Sequence, residues 1–449
     1  MEYSRFVDCF ERRSYTAEFL EFVGFKLSSE PLGATALILG GSQVKQARYG
    51  DVNALYDAIV QIKLKESLTS LRELDPNAAV KKNKQRKVHQ RVVDVFQALT
   101  NELRILNKIL ERSDDSVWLV YPVYTVCHDV STFLRDTGKY MQLESRKQLW
   151  EECIRVIHRS FMICLNDKNP NMQENKRGGC ILFANLEMMF YKMLRNRDMM
   201  KNLIKVLEST GMTDISRQRD NKVLKRHRSQ KIIFNYFIGE YYGCYLFQFN
   251  KAQEHLQVCV SEFPVKYTSS KWFKRIIHLY TQFRMLATSN KLIHVELPRE
   301  TNEKFANAYD SDLMNKCYKN GDTIVFDELI KEHAAQYLID GTYSAMLLIK
   351  ELVFLRLVKV CYKVNDKKGI LPLDLIAAGY RIHFRNHDNE ENRVTTTNPR
   401  KLQKKNEDLL DELECRIANL IANGRIKGYL SHSQRCMVLS KTEPFPLAS

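Results

Sequence analysis

Residues 426–441 read IKGYLSHSQRCMVLSK. Ile426, Gly428 and Leu430 alternate with Lys427, Tyr429 and Ser431, the period of two that sends successive strand side chains to opposite faces. Ser431-His432-Ser433-Gln434 supplies turn residues, and Met437-Val438-Leu439 is a second β-prone run. Two such runs with a short polar link predict an antiparallel hairpin. Just upstream, Leu409, Leu410, Leu413, Ile417, Leu420 and Ile421 recur at spacings of three and four, one apolar stripe of a helix. Asn423-Gly424 closes that helix, since glycine takes the left-handed cap without strain. Further back, Leu347 to Val364 reads as an amphipathic helix, Gly369 to Leu373 as a short extended piece, and Leu373 to Ala378 as another helix after Pro372. The order helix, short strand, helix, helix, hairpin predicts a winged helix over residues 341–449, with the hairpin as its wing.

What precedes it reads as a stack of helices. Met1 to Leu27 reads as one helix with an aromatic stripe of Phe6, Phe10, Phe19 and Phe22, expected to be core. Ser28 to Gly50 reads as a loop, Asp51 to Leu74 as a helix stopped by Asp75-Pro76-Asn77, and the basic run KKNKQRK, 81–87, as the entry to a helix through Leu110. From Trp118 to Leu297 amphipathic helices follow one another with short turn-rich links, the pattern of a helical solenoid in which each pair buries its face on the next. One pair carries a degenerate tetratricopeptide pattern: Gly239 and Tyr242 on the first helix, Ala252, Leu256 and Cys259 on the second, then Pro264. Pro298 to Asn320 reads as a linker with one helix inside, and Thr323 to Leu338 as one more helix. The fold class is mainly α, a tetratricopeptide-like solenoid followed by a C-terminal winged helix. The expected division is an N-terminal helical segment (1–115), a stalk (116–340) and the winged helix with its tail (341–449). Residues 383–406, which begin HFRNHDNEENRVTTTNPRKLQKK, read as a polar loop interrupting it.

Composition limits the function classes. The 449 residues carry a formal charge of +16, which implies an acidic partner such as nucleic acid or an acidic polypeptide. The eleven cysteines form no Cys-x-x-Cys pair and fall mostly in apolar helical stretches, as reduced buried thiols do. MEYSRFVDCFERR is charged and lacks an apolar core, so no secretory leader is expected. No uncharged run approaches the length needed to span a bilayer, about 20 residues, so no membrane partner is expected.

Two stalk stretches concentrate the charge. Residues 217–231 hold Arg217, Arg219, Lys222, Lys225, Arg226, Arg228 and Lys231 against one acid, Asp220. Residues 266–291 hold six cations and no acid, with Tyr267, Trp272, Phe273 and Tyr280 interleaved. If neighbouring, they would form a positive groove for a phosphate backbone or an acidic peptide, with the aromatics either stacking on bases or packing in the core. The candidate nucleic-acid contacts are therefore Arg217, Arg219, Lys225, Arg226 and Arg228 in the stalk, and Arg400, Lys401, Lys404 and Lys405 before the last helix. Arg425, Lys427, Arg435 and Lys441 complete them at the wing. Asp408, Asp411, Glu412 and Glu414 on the last helix would face phosphates, which favours the wing and its flanks over insertion of that helix.

The segments CFERRSYTAEFLEF, HRSFMICLNDKNP, ENKRGGCILFANLEMMFY, MMKNLIKVLES and YLSHSQRCMVLSKTEPFP span most of the chain. The C-terminal order resembles the PCI domains of the proteasome lid, the signalosome and an initiation factor. The quoted segments resemble the fungal COP-nine signalosome subunit-twelve type, related to the PCI scaffold subunit of the nuclear-pore mRNA-export complex. The resemblance implies helical repeats capped by a winged helix and a scaffold that contacts nucleic acid, RNA or DNA, rather than an enzyme. It implies a nuclear and cytoplasmic location, coupling to transcription, mRNA maturation or export, and signalosome subunits as possible partners. It also implies a small acidic polypeptide of the proteasome-lid type along the stalk–cap junction, for which Lys271, Lys274 and Arg275 are candidate contacts. A second PCI-domain protein would pair with the cap through Tyr429, Cys436, Met437 and Val438, on the expectation that the strand Cys436 to Ser440 is an open edge. The alternative to nucleic-acid binding is a purely protein-binding signalosome scaffold.

No catalytic set is expected. None of the eleven histidines forms His-x-His or His-Glu-x-x-His. His383 and His387 have no clear third ligand, and no nucleophile elbow accompanies His128-Asp129. No cofactor or metal is expected.

Overall fold

The computed structural model describes residues 1–25, 50–64, 82–112, 116–169, 175–219, 221–288, 311–387 and 399–446. The side chains of 64, 82–85, 222, 288, 311–312, 383–387 and 399–406 are outside that description. The expected loop at 28–49, the stop at 75–77, Lys81, Asp220, Lys291 and most of the linker after Pro298 lie outside the described residues.

In chain order the helices are α1 (Tyr3–Glu11), α2 (Ala17–Val23), α3 (Gly50–Leu64), α4 (Lys82–Arg112), α5 (Val120–Thr137), α6 (Leu143–Leu165), α7 (Cys180–Met193), α8 (Arg197–Ser209), α9 (Ile215–Gln218) and α10 (Lys222–Arg226). Then follow α11 (Arg228–Cys244), α12 (Phe249–Glu262), α13 (Lys271–Thr288), α14 (Ser311–Asn320), α15 (Thr323–Glu332), α16 (Ala334–Asp340) and α17 (Tyr343–Val364). The cap closes with β1 (Ile370–Pro372), α18 (Leu373–His387), α19 (Pro399–Ala422), β2 (Gly428–Ser431) and β3 (Cys436–Leu439). The chain is a helical solenoid followed by a winged helix. Two compact units divide inside α11, Met1–Phe234 and Asn235–Ser449.

In the first unit the expected single N-terminal helix is two. Arg13 turns the chain with a φ of 52°, and the Thr16 hydroxyl accepts from the Phe19 amide to start α2. The turn folds the aromatic stripe onto itself: Phe6 stacks on Phe19 at 5.4 Å and meets Phe22 at 5.7 Å. Phe6, Phe19 and Phe22 are buried core, as the pattern predicts, and Phe10 is half-buried. Helices α4 to α8 pack on their neighbours through apolar faces, with Leu99, Leu106, Ile157, Phe183 and Leu207 fully buried.

In the second unit α12 packs along α13. The tetratricopeptide-like contact between α11 and α12 is close: a Cβ on Gly239 would stand 2.8 Å from Leu256 Cγ and 3.2 Å from the Ala252 carbonyl. Tyr242 fills the space beside it and stacks on His255 at 5.7 Å. The expected helix at 323–338 is interrupted at His333, so α15 and α16 are separate. Helix α18 runs to His387 and α19 begins at Pro399, so the ends of the expected polar loop are helical. Proline suits a first helical position, where its missing N–H leaves no bond unmade.

The cap sheet has the order β1-β3-β2, antiparallel throughout. Gly424 ends α19 with a φ of +67°. Of the stripe that the spacing predicts, Leu413, Ile417 and Leu420 are buried and Leu409, Leu410 and Ile421 half-buried; Ile426, ahead of the wing, is buried as well. No disulfide joins any of the eleven cysteines, and Cys415 is the exposed one.

Candidate interaction surfaces

The register corrects one expectation. Ile370, Leu371 and Pro372 pair with Val438, Met437 and Cys436, while Gly428 to Ser431 pair with the other side of the same strand. Strand β3 is therefore central, and the proposed edge at Cys436, Met437 and Val438 is closed on both sides. Cys436 and Met437 are also buried. The outer edges belong to β1 and β2, and Tyr429 on β2 is 63% exposed.

Much of the wing's charge is met within the cap. Arg435 donates to Asp411 at 2.6 Å and to Glu414 at 2.7 Å, and His432 sits 3.0 Å from the same Glu414. Those acids hold the guanidinium's pKa above its ordinary value, the Asp411 hydrogen bond most of all. Lys427 pairs with Glu443, whose neighbour Pro444 accepts from the Lys427 amide at 2.9 Å. Phe445 then packs on Tyr362 at 5.4 Å and under Lys359. Arg425 is half-buried near Lys359, whose pKa is lowered by burial and then by Arg356 and Arg425. Lys441 is exposed. Arg400, Lys401, Lys404 and Lys405 stand within the first turns of α19 rather than before it, and their side chains lie outside the described residues. The acids Asp408, Asp411 and Glu412 are exposed on the same helix.

The stalk cations fall into two sets. In the first unit Arg217, Arg219, Lys225, Arg226 and Arg228 are exposed. Asp214 caps α9 and lies 3.7 Å from Arg217, and Asn221 caps α10 through the Val223 and Leu224 amides. His227 stacks on Tyr121 at 4.0 Å, Tyr121 stacks on Tyr15 at 5.8 Å, and Arg226 lies over the Tyr15 ring at 5.3 Å. This aromatic column was not legible, because its members are far apart in sequence.

In the second unit the interleaved aromatics divide. Phe273 and Tyr280 are core, with Tyr280 bonded to Gln257 and approached by Arg284 at 3.0 Å. Val265, Tyr267 and Trp272 are 86%, 52% and 56% exposed. Lys266 lies over the Tyr267 ring at 4.8 Å, and Lys271 is exposed beside Trp272 in sequence. Lys274 is half-buried. Arg275 is turned inward, which corrects its assignment to a partner: it lies 3.2 Å from Glu240 and 3.5 Å from Asp340. Tyr236 donates to the same Glu240 at 2.9 Å.

Among the described residues no group of three or more His, Cys, Asp or Glu is placed to hold a metal ion. Among them, too, no helix is long and apolar enough to cross a membrane.

The PCI domain family model matches residues 398–441, the stretch that holds α19 and the wing. Cop9 signalosome complex subunit 12 of Saccharomyces cerevisiae is 30% identical over 97% of this chain and 97% of its own length. The chain belongs to the COP9 signalosome subunit 12 family of PCI-domain proteins. The Eremothecium gossypii member is 27% identical over 78% of this chain and 82% of its own. A PCI domain-containing protein 2 homolog of Drosophila melanogaster is 24% identical over 76% of each chain. The subunit 12 family thus shares with this chain the helices that lead to the cap as well as the cap itself.

Proposed function

We propose that this chain is a non-enzymatic PCI scaffold of a signalosome-type assembly, in which the basic surface holds a small acidic polypeptide. The observation that carries the reading is the patch at the start of α13. Val265, Tyr267 and Trp272 project into solvent beside Lys266 and Lys271, and residues 266–288 contain no acid. Cations alternating with exposed apolar side chains suit a peptide whose acids alternate with aromatic anchors, because the anchors supply burial and the charges supply orientation and rate. An aliphatic side chain such as Val265 adds little to a base stack and much to a peptide contact. A second PCI-domain protein would pair along the outer edge of β2, where Tyr429 is available. The assembly would work in nucleus and cytoplasm, beside other signalosome subunits.

The test is co-purification of the tagged full chain from cells. The pair Lys271→Glu and Trp272→Ala is expected to lose the acidic polypeptide while far-ultraviolet circular dichroism stays unchanged. Undiminished retention would remove the assignment.

A second reading, contact with RNA or DNA coupled to transcription, mRNA maturation or export, is favoured by the column in the first unit. Stacked Tyr15, Tyr121 and His227 amid five exposed cations are the parts that single-stranded nucleic acid uses. Reversing Arg219, Lys225 and Arg228 is expected to abolish retention of single-stranded RNA and flatten its salt dependence. Retention unaffected by that change would leave the protein-binding reading alone.

A further inference from the structure

We infer that the first unit carries a binding pocket for a small, multiply charged phosphate-bearing anion between α4 and α6, at residues outside every basic stretch singled out above. The cavity measures about 530 Å³, inside the range of small-ligand pockets, about 300–1,000 Å³. Its walls bring Arg104 and Lys108 from α4 against Arg155 and Arg159 from α6.

The floor is Asn107, which is 4% exposed. Its Oδ1 accepts from the Ser160 hydroxyl at 2.8 Å, which turns the amide nitrogen away from Ser160. That nitrogen is buried and bonds to nothing among the described residues. A buried donor without an acceptor is destabilising, so an acceptor oxygen delivered by a ligand removes a standing penalty. Arg155 is exposed, and no acid among the described residues pairs with it.

The remaining cations are held by carboxylates, of which Glu111 and Glu152 also line the pocket and would have to release them to a ligand. Arg159 grips both oxygens of Glu111 at 2.6 Å, Arg104 lies 3.9 Å from Glu152, and Lys108 is drawn to Asp51 at 2.7 Å. Glu111 and Glu152 are about half exposed, where solvent screens an ion pair. A carboxylate ligand would replace them one charge for one. A phosphate group brings up to two charges and three acceptor oxygens, so it can engage Arg159 and Arg155 together. The volume admits more than one such group, which selects an anion with several phosphates over inorganic phosphate.

The probe is inorganic tripolyphosphate, titrated calorimetrically into the purified full chain at low salt. Wild-type protein is expected to bind at one site, at least tenfold tighter than inorganic phosphate. Arg155→Glu with Arg159→Glu is expected to weaken binding at least tenfold, as is Asn107→Leu. The charge-matched pair Lys201→Glu and Lys205→Glu, exposed on α8, is expected to bind as wild type. If Asn107→Leu fails to fold, the exposed arginine pair still decides. Equal weakening in both charge-reversed pairs, or no wild-type binding, would overturn the assignment by reducing it to net charge.

Discussion

Arg275 and Glu102 show how far a side chain's role depends on neighbours distant in the chain. As one of a run of cations on α13, Arg275 has the spacing of a partner contact. Folding instead places it between Glu240 and Asp340, both buried. Removing one member of such a set leaves uncompensated buried charge, so Arg275→Ala is expected to cost roughly 3 kcal/mol, read from the urea midpoint. Glu102 is the opposite case, a buried carboxyl on α4 with one oxygen bonded to nothing among the described residues. Burial pushes its pKa up to about 8, with Lys63 offsetting only part of the shift. A raised carboxyl pKa means that the folded state keeps a proton which the unfolded chain gives up near 4.5. Stability is then full below that value and falls as the pH rises towards 8. Glu102→Gln is expected to flatten this fall and to stabilise by roughly 1–3 kcal/mol at pH 8, checked by thermal unfolding across pH.

At the scale of elements, the cap was legible wherever its signal was local. The stripe of Leu413, Ile417 and Leu420, the Gly424 cap and the two halves of the wing all rest on neighbours within a few residues, and all stand in the structure. The strand order was not legible. Strand β1 is three residues ending in proline, and nothing local says which partner it takes. Nor could the sequence reveal that Arg435 turns back to Asp411 and Glu414 on α19. Those pairs argue that the wing is braced rather than presented as a bare cationic tip. Arg435→Ala is therefore expected to lower stability only slightly, because solvent screens these surface pairs, and to leave retention on RNA unchanged, measured by filter binding. Between α11 and α13, Gly243 lies so close to the buried Phe283 ring that a Cβ would overlap it. Gly243→Ala is expected to destabilise by roughly 1–3 kcal/mol in chemical denaturation, since overpacking outweighs the helix preference for alanine.

For the whole molecule, the helical repeats and the cap followed from periodicity, whereas the working surfaces followed only in part. Clustered cations mark a charged face, but the sequence does not say which of them fold inward. It also does not assemble a site from helices fifty residues apart, as Asn107 and Ser160 do. Among the described residues the open surfaces include the apolar and basic patch at 265–272, the outer edge of β2, the column around Tyr121 and the pocket between α4 and α6. The most direct measurement is co-purification of the tagged full chain after exhaustive nuclease digestion, with its partners weighed by mass spectrometry. Retention of an acidic polypeptide and a second PCI-domain protein through digestion, with loss of the former in the Lys271→Glu, Trp272→Ala variant, is the predicted result. Release of both by nuclease, or their full retention by that variant, would contradict it.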